Sequence, residues 1–172
     1  MKHWAIGLFV FAGSLLIGSP VLAQSARVGF GFNAKDISGF PTGAVSLTGG
    51  GAYNPDTGFV HTAGGFSCTA DVGQGPLKGC LAGEGVRWDT AELLAGTNFK
   101  CTGAASEALK HATTGADTIV TLSDFYRAGD GIDESFTAQM IVSANDLAPD
   151  LPGVQNVWVQ GVGCGSAIVS FS

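Results

Sequence analysis

The sequence predicts an all-β fold: an antiparallel β-barrel of about eight or nine strands, with a β-sandwich as the alternative and at most one or two short helices. Three observations carry this. Twenty-seven of the 172 residues are glycine, spread along the whole chain without the Gly-X-Y period of collagen. Many of them separate short runs rich in Val, Ile, Phe, Thr and Ser, the composition of strands joined by turns. No segment after residue 23 carries a sustained helical stripe of apolar residues. Closure into a barrel is favoured because it removes the exposed edges that so many strands would present.

Residues 1–23 are address rather than fold. Lys2 and His3 precede an apolar run from Ala5 to Ile17, and Val21-Leu22-Ala23 follows Pro20. A basic start, a short apolar core and a small residue at the cut make a secretory signal peptide. The core is shorter than the roughly 20 residues of a membrane span. Cleavage is expected after Ala23, leaving residues 24–172 as a single all-β domain, secreted or periplasmic. Gln24, not cysteine, follows the cut, so the usual lipid-anchor position is not there.

The elements are then expected in this order. Residues 27–34 form a first strand. Residues 42–69 form a hairpin: Val45, Leu47 and Tyr53 share one parity, Asn54-Pro55-Asp56-Thr57-Gly58 supplies the turn, and a strand returns to Cys68. Gly49-Gly50-Gly51 then falls roughly opposite Gly64-Gly65, and paired strand glycines point to a bend, a bulge or a close approach. Residues 80–88 and 97–103 are further strands. Between them Asp89-Thr90-Ala91-Glu92 has the form of a capping box, predicting a short helix over 90–94. Residues 104–112 read as a loop. Residues 117–144 form a second hairpin, with Phe136, Ala138, Met140 and Val142 on one face of its return strand. Residues 154–160 and 164–171 close the chain.

Cys68, Cys80, Cys101 and Cys164 all lie in the exported part. Four cysteines in such a chain are read as two disulfides, and of the three pairings Cys68–Cys80 with Cys101–Cys164 is preferred. The spacings contain no CxxC or HxxxH pair, so no metal and no cofactor is expected. The net charge of −6, with the acids scattered, opposes binding to nucleic-acid phosphates. No basic amphipathic stretch would hold the protein on a membrane, and no stable insertion is expected after signal cleavage. An outer-membrane barrel fits poorly with four cysteines and no continuous apolar outer band.

Catalytic sets are scarce. His61 alternates with Phe59 and Ala63 as an ordinary strand histidine, His111 lies in the loop, and no Gly-x-Ser-x-Gly elbow exists. Asp130, Asp133 and Glu134 lack calcium-loop spacing and read as a solvated turn. The remaining candidates for contact with a ligand are Arg87, Asp124, Tyr126 and Trp158. Asp124 shares a strand face with Leu122 and Tyr126, and an inward Asp124 and Arg87 would make a polar floor; alternation sets parity but not which parity is inside, and the solvent face is the ordinary reading.

The likeness to small-ligand barrels is architectural only. The leading expectation is an exported barrel that binds a small apolar ligand. The alternatives are a structural or surface-interaction protein without ligand, and a barrel isomerase or cyclase using Asp124, Arg87 or Tyr126. The absence of a catalytic set leans away from an enzyme.

Overall fold

Apolar residues alternate with polar or small ones along most of the strands, and the apolar parity turns inward. In the computed structural model, which describes residues 27–129 and 133–172, ten strands form. They are β1 (Val28–Gly39), β2 (Ala44–Asn54), β3 (Phe59–Ala70), β4 (Arg87–Leu93), β5 (Gly96–Phe99), β6 (Lys110–Thr113), β7 (Thr118–Tyr126), β8 (Phe136–Ser143), β9 (Val157–Val159) and β10 (Gly163–Phe171). Eight of them close an antiparallel barrel in the order β1-β10-β9-β8-β7-β4-β3-β2, while β5 and β6 make a separate two-stranded sheet. The first and last strands pair with each other, and Gly29 and Ser172 exchange two backbone hydrogen bonds at 2.9 Å. That pairing removes the sheet's free edges.

Side chains fill the barrel. Phe30, Phe32, Tyr53, Phe66, Trp88 and Phe125 are all buried in one cluster with Ile37, Leu47, Met140 and Val157. Their rings pack on one another: Phe66 meets Phe125 edge-on at 4.9 Å, and Phe30 stacks on Phe171 at 5.7 Å. Each large apolar side chain taken out of water in this way contributes roughly 1.5–3 kcal/mol. A second cluster lies outside the barrel wall, where Phe99 and Ala112 from the small sheet cover Val120, Ile141 and Trp158.

Both disulfides form as expected from the sequence. Cys68–Cys80 closes a loop of sequence separation 12, and Cys101–Cys164 one of separation 63. The first tethers the β3–β4 connection, whose Val72 and Leu77 join the main core. The second ties the small sheet to β10.

The predicted elements are corrected in three places. Among the described residues no helix forms, and residues 90–93 belong to β4. The capping box loses because a helix of five residues cannot recover its nucleation cost, whereas as a strand the segment buries Trp88 and closes the barrel against β7. Residues 80–86 do not form a strand, since Gly83 (φ 89°) and Gly85 (φ 115°) turn the chain there. The expected loop at 104–112 ends in strand: Lys110–Thr113 pairs with β5 over the second core. The signal peptide over 1–23 and residues 130–132 of the acidic turn lie outside the described residues.

Candidate functional site

Strand register places three of the four candidate residues on one patch. Across the outer face the Cα partners run Ile168, Asn33, Thr48, Gly65, Arg87 and Tyr126 from β10 to β7. Two residues further along, a second row runs Gly31, Gly50, Ala63, Asp89, Asp124 and Thr137. The row between them points inward and holds Phe32, Gly49, Gly64, Trp88, Phe125 and Phe136. Arg87, Asp124 and Tyr126 therefore face out, and the inward polar floor does not exist. The reason is Trp88 and Phe125: they are fully buried neighbours of these residues, and the strand period turns the flanking positions to the other side.

On this patch the Arg87 guanidinium lies 4.1 Å over the Tyr126 ring and 3.4 Å from Asp89 Oδ2. The Tyr126 hydroxyl donates to Asp89 Oδ1 at 3.3 Å, and Thr137 donates to Asp124 Oδ1 at 2.8 Å. Burial and the Asp89 and Asp124 carboxylates push the Tyr126 hydroxyl above its ordinary pKa, against the opposing pull of Arg87. The Arg87 and Asp89 side chains stay 48% and 35% exposed, so water screens their pairing. Asp89 was not among the sequence candidates because its place in a capping box hid its strand parity.

Trp158 lies elsewhere. Val157 and Val159 point into the barrel and Trp158 points out, under the small sheet. Its indole N–H donates to the Lys100 carbonyl at 2.8 Å, and its ring meets Phe99 at 5.5 Å. It is 3% exposed, a core residue unable to reach a ligand shared with Arg87.

Next to the Arg87 patch the outer face is hollowed. A groove of about 490 Å3 crosses β1, β2 and β3, lined by side chains including Asn33, Lys35, Ser46, Thr48, Ser67 and Thr69. A second of about 450 Å3 lies between β1 and β10, and Asn33 and Lys35 form the ridge shared by both. Lys35 and Asp36 stand at a bulge, where pairing on both sides of β1 skips from Ala34 to Ile37. Alternation in β1–β3 carried the signal for these residues, but without the inside parity they were indistinguishable from core-facing positions.

No family model, curated protein or solved structure matches the chain. Function rests on its own geometry.

His111, exposed on β6, is held by Asn98 at 2.9 Å and Thr113 at 3.1 Å. His61 is exposed on β3, facing out as its alternation with Phe59 and Ala63 implies. All four cysteines are in disulfides, and among the described residues no three His, Cys, Asp or Glu side chains converge as metal ligands.

Proposed function

We propose that this is an exported, disulfide-braced barrel that works through its outer surface as a binding or interaction protein. The observation that carries the reading is the filled interior. In a barrel that carries an apolar ligand, the lumen holds the cavity; here that volume is taken by Phe30, Phe32, Tyr53, Phe66, Trp88 and Phe125. The concavities at Asn33 and Lys35 lie on the outside.

Export is supported from two sides. The basic, apolar and small-residue order of 1–23 is that of a signal peptide, and two disulfides fit an oxidising compartment. The outer rows carry Asn33, Thr48, Arg87, Asp89 and Asp124 while Phe30, Phe32, Phe66, Trp88 and Phe125 face in, which differs from a lipid-facing barrel with a continuous apolar outer band and supports a protein that leaves the membrane after processing.

The test is to express the full chain for export into an oxidising compartment and titrate the purified protein with an apolar fluorophore, alongside its Trp158→Phe variant, so that quenching of Trp88 is read separately. No saturable complex and no co-purifying lipid are expected. A one-to-one complex that quenches Trp88 would return the ligand to the lumen and overturn the reading.

A further inference from the structure

We propose that the groove across β1, β2 and β3 binds an acidic sugar, a hydroxyl-rich ligand carrying one carboxylate. This rests on the outer-surface reading and names what that surface takes. At about 490 Å3 the groove is within the range of small-ligand sites, roughly 300–1,000 Å3.

Its side chains match that chemistry. Asn33 offers an amide, and Ser46, Thr48, Ser67 and Thr69 offer hydroxyls, partners for a ligand whose surface is mostly hydroxyl. Lys35 is the only charged residue of the lining, in a chain of net charge −6. Among the described residues its ammonium is in none of the ion pairs or hydrogen bonds, whereas Lys100 and Lys110 are both bonded within the fold. Asp36, its neighbour, faces the other groove. One ammonium, the single charge in this lining, is complementary to a single carboxylate. One cation and no exposed ring in the lining do not suit a nucleotide, which needs phosphate neutralisation and a stacking partner, since Phe66 turns its ring into the core.

The floor of the groove is also low at Gly65, which carries no side chain there. Gly65 has no positive φ, and a Cβ there would press on the Thr48 methyl at 3.2 Å, whose hydroxyl donates to the Phe32 carbonyl. Glycine at this position leaves the backbone open to close approach from the groove.

Backbone amide shifts of the labelled protein titrated with 3′-sialyllactose, a trisaccharide with one carboxylate, and with a neutral galactose trimer test this. The acidic trimer is expected to give saturable shifts at residues 33–35, 46–48 and 65–69, and to bind about tenfold more tightly than the neutral one. Lys35→Gln, at an exposed unbonded side chain, should abolish that difference while leaving the spectrum otherwise intact. Thr69→Trp should fill the groove and remove both. Absence of saturable binding, shifts mapping to another face, or unchanged preference in Lys35→Gln overturns the proposal. If neither trimer binds while the apolar fluorophore also forms no complex, the sugar assignment falls and the outer-surface reading stands.

Discussion

The Trp88 indole occupies the space above Gly49: a Cβ at Gly49 would stand 2.7 Å from the indole Cζ2, while the indole N–H donates to the Thr48 carbonyl at 3.1 Å. Gly49 pairs with Gly64, and together they let the Phe32 and Trp88 rings approach to 5.9 Å inside the barrel.

Gly64→Ala should therefore be severe, because its Cβ would overlap the Thr48 carbonyl oxygen and lie 2.6 Å from the Gly49 Cα. A loss of about 3 kcal/mol is expected by urea denaturation. Gly31→Ala is the control: its Cβ would meet nothing closer than the Ser170 Oγ at 3.7 Å. It should be neutral or stabilising by about 0.5 kcal/mol, since alanine restricts the unfolded chain. Equal losses at the two sites would remove the packing explanation.

The two disulfides differ in the loops they close. Replacing Cys101 and Cys164 by serine should cost about 4 kcal/mol, and replacing Cys68 and Cys80 about 3 kcal/mol, by the chain-entropy relation. Denaturation midpoints of the two double variants under oxidising conditions would rank them. The reverse order would mean that the Cys68–Cys80 bridge acts through Val72 and Leu77 in the native core rather than through the unfolded chain.

Stability should fall at both ends of the pH scale, from different residues. Burial alone would raise the Glu107 carboxyl, but hydrogen bonds from Thr102 and Lys110 and from the Cys101 and Thr102 amides outweigh it, lowering the pKa to about 2. The folded protein thus holds this proton more weakly than the unfolded chain. The stabilisation, on the order of 3 kcal/mol, is complete above the ordinary value near 4.5 and is lost as pH falls toward 2. Tyr53 behaves oppositely: burial, with Asp117 nearby, pushes its hydroxyl up to about 12, so its contribution is present below pH 10 and is lost as pH rises through 12. Thermal melts against pH should show Glu107→Gln less stable at neutral pH with a flattened acid limb. A wild-type acid limb in that variant would assign the loss to other carboxylates.

Arg87 and Asp89 should couple weakly. Their pair is half-exposed at 3.4 Å, and a double-mutant cycle is expected to give less than about 1 kcal/mol. Asp124→Asn, at a partly exposed outward position, should leave the fold and melting point nearly unchanged. A large loss at either site would mean that the patch is more tightly held than its exposure indicates.

Much of the fold was legible because strand alternation, turn glycines and cysteine spacing are local signals. The hairpins at 42–69 and 117–144, the Gly49–Gly64 pairing and both disulfides follow from them. The short pieces were not legible. Four residues at Lys110–Thr113 are too few to show a period, and Asp89-Thr90-Ala91-Glu92 satisfies a cap locally while the β4–β7 ladder decides otherwise. The candidate site was half legible: Arg87, Asp124 and Tyr126 do share a patch, but Asp89 and the Lys35 groove were not recognised, and Trp158 belongs to a separate core.

The amino-acid order by itself determined an all-β chain with alternating strands, paired cysteines and a leader-like first segment, because each of these depends on neighbours in sequence. Only the tertiary structure decided which parity faces inward. That choice is collective: Trp88, Phe125 and Phe32 bury their rings only when all the strands agree, and their agreement puts Arg87, Asp124 and Lys35 on the outside.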